Sequence, residues 1–147
     1  MNDLDDLYQE MILGHARQPR NFGALAPCDR SAKGHNPLCG DRVTVYLRMD
    51  GERVREIQFD GAGCAICTAS ASLMTDGVKG LARPAIERVF QDVHELATGK
   101  SDGSKDLGKL AVFSGVSAFP MRVKCATLPW HTLLAALDST SAPVTTE

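Results

Sequence analysis

The stretch DRVTVYLRMDGERVREIQFDGAGCAICTASASLMTDG, from Asp41 to Gly77, decides the fold. Val43, Val45, Leu47 and Met49 alternate with polar neighbours, the period of a strand with one buried face. Asp50-Gly51 signals a hairpin turn, because these residue types accept the positive φ that a tight turn needs. The return strand is expected over about Arg53 to Phe59, antiparallel to the first. Ile57 and Phe59 stand one step out of phase with Val54, as a β-bulge would leave them. Gly61-Ala62-Gly63 then lets the backbone reverse, and the small-residue run from Cys64 to Gly80 predicts a helix packed closely on the sheet.

Upstream of this unit, Leu4, Leu7, Tyr8, Met11 and Ile12 share one helical face, with Asn2 or Asp3 as cap and Gly14 with Pro19 limiting the end. The segment from Arg20 to Gly40, rich in Pro, Gly and Asn, reads as a loop. Downstream, Pro84 suits a first helical turn, and Ile86, Val89, Phe90, Val93 and Leu96 carry an apolar face to Gly99. Lys100 to Lys109 reads as an exposed loop, followed by the more apolar Leu110 to Phe119. Pro120 leads to Cys125, and Leu128, Leu133, Leu134 and Leu137 stripe a last helix beyond it. This order predicts an α+β domain over residues 1–138, a small antiparallel sheet of about three strands packed by helices, with 139–147 as a disordered tail.

Composition narrows the function. With 147 residues and 44% hydrophobic content, the chain builds one core without disulfide staples. Its 16 Lys plus Arg stand against 18 Asp plus Glu with no dense cationic run, which argues against a nucleic-acid partner. The acidic start lacks the features of a secretory signal, and no segment approaches the roughly 20 apolar residues that span a bilayer, so a cytoplasmic location without a membrane partner is expected. Five cysteines in such a compartment stay reduced, and an odd number cannot all pair. Metal binding or thiol chemistry is the expectation.

Three loops present a thiol each: Asn36-Pro37-Leu38-Cys39-Gly40-Asp41, Gly61-Ala62-Gly63-Cys64-Ala65-Ile66-Cys67, and Arg122-Val123-Lys124-Cys125. Zinc takes four ligands in a tetrahedron and accepts thiolate and carboxylate, so three Cys and one Asp would complete its shell. Spacing alone is equally compatible with isolated buried cysteines, since only Cys64 and Cys67 form a C-x-x-C pair. Local context favours the metal site: Gly40 and Gly63 let the backbone turn around an ion, and a helix N-terminus after Cys64 favours its thiolate.

With "NPLCGD" at Asn36 to Asp41, "GAGCAICTASASLMT" at Gly61 to Thr75, "GVSAFPMRVKCATLPW" at Gly115 to Trp130 and "LYQEMILGHARQPRNFG" at Leu7 to Gly23, the chain resembles the SufU branch of the IscU/NifU-like iron–sulfur assembly proteins. Scaffold-type IscU proteins carry a His immediately before the third cysteine, whereas Lys124 stands here, and the loop from Gly99 to Leu107 looks like the insertion typical of SufU. The resemblance implies the SufE/NifU (IscU-like) fold and a zinc ion held by Cys39, Asp41, Cys64 and Cys125. It also implies a zinc-dependent sulfurtransferase that takes persulfide sulfur on Cys39 from a SufS-type PLP-dependent cysteine desulfurase and hands it to a SufBCD-type cluster assembly complex. Arg122 matches an Arg placed beside the metal site, where it would offset negative charge or position the persulfide. The alternative in the same superfamily is a scaffold that holds iron or an iron–sulfur cluster on the same cysteines.

Cys67 departs from the family pattern, where a small hydroxyl residue is usual; a fifth ligand, a redox partner and Ser-like packing all remain open. Cys28 lies outside every motif and reads as an incidental thiol. His15, His94 and His131 read as structural or solvated, because no second His completes a spaced pair, while His35 stands close enough to Cys39 to support a ligand. Lys124 is either a solvated charge or a neighbour of the thiolates.

Overall fold

The computed structural model describes residues 3–100, 108–138 and 144–145. Its elements run α1 (Asp3–Arg17), β1 (Arg30–Asn36), β2 (Asp41–Asp50), β3 (Arg53–Ala62), α2 (Ala65–Val78), α3 (Arg83–Ala97), a 3-10 helix (Gly108–Val116), α4 (Pro120–Leu137) and β4 (Val144–Thr145). The sheet order is β3-β2-β1-β4, in which the first three strands are antiparallel and β4 adds a two-residue parallel edge at Gly34 and His35. Residues 101–107, most of the insertion-like loop, lie outside the described residues, as does the rest of the tail.

The hairpin forms where the alternation places it, with Gly51 at φ 62° in the turn. Pairing passes from Arg48↔Glu56 to Met49↔Val54, so Arg55 is the extra residue of a bulge and the phase of Val54 differs from that of Ile57 and Phe59 for this reason. Val43, Val45, Leu47, Val54, Ile57 and Phe59 are all buried on the face that α2 and α4 cover. Burying each such side chain stabilises the fold by about 1.5–3 kcal/mol.

The reading of Arg20 to Gly40 as one loop is corrected, because β1 lies within it and pairs with β2 from Arg30↔Leu47 to Asn36↔Asp41. Its sequence, RSAKGHN, carries no β-branched or large apolar residue, so no strand signal shows. The buried positions Ala32, Gly34 and Asn36 are small because α4 passes close: a Cβ on Gly34 would overlap Thr132 Oγ1 and come within 3.1 Å of Leu128 Cδ1. Gly34→Ala is therefore expected to destabilise the protein by about 1–3 kcal/mol. Adding Thr132→Ala should restore part of that loss, and chemical denaturation of the two variants checks both.

The position of the last helix is also corrected, since α4 begins at Pro120 and Cys125 lies inside it rather than ahead of it. Proline is pre-organised for a first turn, and Pro129 is carried within the same helix. α2 and α4 meet through small residues and a shared hydroxyl: Ser70 Oγ donates to Ala126 O at 2.5 Å and accepts from Trp130 Nε1 at 3.2 Å. At the C-terminus of α4, Arg30 Nη1 donates to Leu137 O at 2.5 Å and Arg83 pairs with Asp138, supplying cations to the negative helix end. No helix among the described residues is long and apolar enough to cross a membrane.

Candidate functional site

The strand register places three loops at one end of the sheet. The turn between β1 and β2 carries Cys39, β2 opens with Asp41, and Arg42↔Ala62 pairing brings the end of β3, hence Gly63 and Cys64, alongside. Asn36 frames the Cys39 loop: its carbonyl accepts Gly40 N–H at 2.9 Å and its Oδ1 accepts Leu38 N–H at 3.2 Å. Gly40 adopts φ 75°, a conformation that a side chain would strain. Gly63 is required for a different reason, since a Cβ there would stand 2.6 Å from Asp41 Oδ1.

The donor atoms converge. Cys39 Sγ lies 3.3 Å from Cys125 Sγ and donates to Asp41 Oδ2 at 3.3 Å, and Cys64 Sγ lies 3.7 Å from the same carboxylate oxygen. Ligand atoms of Cys39, Asp41 and Cys125 all fall within 4.8 Å of one another, and Cys64 joins this group through Asp41 without lying within that distance of all three. Asp41 is fully buried, its Oδ1 accepting Cys64 N–H at 2.8 Å. Cys125 is buried, Cys64 half-buried and Cys39 exposed. Exposed Leu38 (60%) precedes it in the loop, and exposed Met121 (42%) places its Sδ 3.7 Å from Cys39 Sγ.

The protons are unevenly shared. A hydrogen bond from Cys125 lowers the Cys64 pKa to about 7 despite its partial burial, while the same bond and burial push the Cys125 thiol strongly up. Burial and the neighbouring Asp41 carboxylate raise Cys39, against the opposing hydrogen bond from Cys125. The arrangement is a set of thiols gathered around a buried carboxylate. It gathers anionic ligands for a cation.

Arg122, one turn ahead of Cys125, places its guanidinium over the Phe119 ring at 4.3 Å rather than against a thiol. His35 sits on β1 next to buried Asn36, on the opposite strand face. His15 Nδ1 meets Ser72 Oγ at 2.6 Å in the core, and His94 and His131 pack with Phe90, their rings 6.1 Å apart. Met121 escaped the sequence reading; its signal was the spacing of four to Cys125, which puts both on one face of α4.

The NifU-like N-terminal domain pattern matches residues 7–126. The chain belongs to the NifU-like N-terminal domain family. This NifU-like domain is 41% identical over 135 residues to the zinc-dependent sulfurtransferase SufU of Bacillus subtilis, covering 89% of each chain. It is 33% identical over 138 residues to the iron–sulfur cluster assembly scaffold protein IscU of Streptococcus pyogenes, covering 93% of this chain and 86% of that one. Among solved structures, it superimposes with TM-score 0.82 and 33% identity on a Fervidobacterium islandicum chain proposed as an iron–sulfur cluster assembly scaffold for the SUF system, covering 87% of this chain and 94% of that one. The α+β architecture expected from the sequence is the architecture of this superfamily.

Proposed function

We propose that the domain works in iron–sulfur cluster assembly as a sulfur acceptor, taking persulfide sulfur from a PLP-dependent cysteine desulfurase on Cys39 and passing it to a cluster-building complex. Cys39, Asp41, Cys64 and Cys125 would hold a zinc ion. The observation that carries this reading is that Cys39 is the exposed thiol of three converged donors, Cys39, Asp41 and Cys125, whose carboxylate is fully buried and is also approached by the Cys64 thiol. The chemistry of the donors fits the ion, and three of the separations among them, 3.3 to 3.7 Å, are close to the edge of a tetrahedron with Zn–S bonds of about 2.3 Å, roughly 3.7 Å. The likeness to the B. subtilis sulfurtransferase supports the same choice of metal.

When bound, zinc would supply the positive charge that keeps the site thiols in their thiolate form. The chain's own groups supply the rest. The Cys39 proton already faces Asp41 Oδ2, so the loop presents sulfur at the surface while its proton has an acceptor behind it. The Cys39 thiolate attacks the outer sulfur of the donor persulfide R–S–SH, the donor S–S bond breaks, and the electron pair leaves on R–S⁻. Cys39 then carries the persulfide. Leu38 and Met121 beside it offer apolar surface to exclude water as the donor approaches.

Zinc loading should release about two protons, because the Cys39 and Cys125 thiols, both raised, must ionise to bind it. Zinc affinity consequently falls as pH falls. Calorimetry in buffers of different ionisation heat reads the number, and uptake without proton release would contradict the ligand assignment. For the sulfur reaction, adding the zinc-loaded domain to a cysteine desulfurase should raise cysteine turnover in proportion to its concentration. A flat response would overturn the acceptor reading. The second reading, a cluster scaffold, draws on the likeness to the S. pyogenes protein, and would be favoured by a stable visible chromophore with iron and sulfide in the purified protein.

A further inference from the structure

We propose that Cys64 and Cys67 are a peroxide-sensitive thiol pair whose closure to a disulfide withdraws Cys64 from the metal site. The closure stands on the structure of α2; its effect on the metal rests on the zinc reading above. Cys67 is 3% exposed and takes no part in the sulfur chemistry assigned to Cys39. It is nonetheless locked to the site, for Cys64 is the N-cap of α2 and its Sγ accepts Cys67 N–H at 3.4 Å. This is a C-x-x-C at a helix N-terminus, the arrangement in which disulfide oxidoreductases close their bond. Helix rise and radius put residues three apart at about 5 Å between Cα atoms, within the span of about 4.4–6.8 Å that a disulfide bridges.

Accessibility orders the two thiols. Cys64 is half-buried and within reach of a small oxidant, whereas Cys67 waits behind it against the sheet near Phe59, Gly63 and Ala71. Cys39 and Cys125 are closer together, at 3.3 Å, but in the zinc-loaded site both are ligands, so closing that pair takes two thiols from the ion where closing Cys64 with Cys67 takes one. Cys67 is then the thiol of the cluster left over. Cys28, the remaining cysteine, stands in the segment before β1.

The chemistry balances with hydrogen peroxide as oxidant. The Cys64 sulfur attacks one peroxide oxygen, the O–O bond breaks, and hydroxide leaves and is protonated to water, giving a sulfenic acid. The Cys67 sulfur then attacks Cys64, the S–O bond breaks, and a second water leaves with the Cys67 proton as the S–S bond forms. Two thiols are oxidised and one peroxide is reduced to two waters.

Trypsin separates the alternatives, because Cys64 and Cys67 share the peptide 56–79, Cys39 lies in 34–42 and Cys125 opens the last peptide. Zinc content is measured first. The loaded protein is then treated with peroxide, alkylated in denaturant and digested, while a chromogenic chelator follows zinc release. The expected result is an unalkylated peptide 56–79 lighter by two hydrogens, appearing with the same time course as zinc release and reversed with it by dithiothreitol. Cys67→Ser should load zinc as the wild type does, yet lose it irreversibly as Cys64 oxidises past the sulfenic acid. A doubly alkylated 56–79 beside a cross-link between 34–42 and the last peptide would overturn the proposal, as would reversible zinc loss in Cys67→Ser. A protein that closes the 56–79 disulfide but never bound zinc would overturn the effect on the metal and the zinc reading together, leaving the thiol pair standing.

Discussion

Cys39→Ala is expected to lower sulfur uptake from a cysteine desulfurase by about a thousandfold or more, the scale on which removing a nucleophile acts. Cys39 alone among the five cysteines is exposed, and it sits at the tip of a turn pinned by the two hydrogen bonds to Asn36. No other thiol can take over its position: Cys64 and Cys125 approach the same carboxylate from behind, at the start of α2 and within α4. Cys28→Ala is the matched control and should leave turnover unchanged, since Cys28 lies outside the cluster. Initial rates of alanine formation by the desulfurase, with each variant titrated, measure the effect. A Cys39→Ala protein that stimulates turnover fully would remove Cys39 from the acceptor role.

Asp41→Ala should weaken zinc binding by more than about a hundredfold, because changes outside the ligand shell alone already cost about 10–100-fold. The carboxylate does two separable things. Its Oδ1 accepts the N–H of Cys64 at 2.8 Å in a fully buried position, and its Oδ2 faces the thiols of Cys39 and Cys64. Alanine removes both and leaves a buried N–H unpaired, a further loss of about 1–3 kcal/mol in stability. Asp41→Asn keeps an acceptor for Cys64 N–H but discards the charge. Its stability is expected to recover toward the wild type while zinc affinity stays low. Chelator competition and chemical denaturation on the two variants read these effects independently, and equal zinc affinity in wild type and Asp41→Ala would strike Asp41 from the ligand set.

Much of this was legible in the residues. The alternation from Val43 to Met49, the Asp50-Gly51 turn and the phase slip at Val54 located the hairpin and its bulge, because a half-buried pair of strands writes its pleat into the sequence. β1 stayed hidden for a physical reason. Its inward positions are Ala32, Gly34 and Asn36, chosen by the closeness of α4 rather than by strand propensity, and contact with a helix one hundred residues away leaves no local trace. The start of α4 was misplaced because the apolar stripe shows only from Leu128 onward, although Pro120 opens the helix and Pro129 is tolerated within it. The cysteine motifs announced thiol chemistry, but their convergence depends on strand register, and so does the exposure that singles out Cys39. Arg122 entered only through the resemblance, which sets it beside the metal site, and its guanidinium lies over the Phe119 ring.

The most direct measurement is the site of the sulfur itself. The zinc-loaded protein is incubated with a cysteine desulfurase and cysteine, alkylated without reductant, digested with trypsin and analysed by mass. The expected result is one added sulfur atom on peptide 34–42, which holds Cys39, absent from Cys39→Ala and lost on reduction. Sulfur found on peptide 56–79 or on the peptide that begins at Cys125, with none on 34–42, would contradict Cys39 as the acceptor.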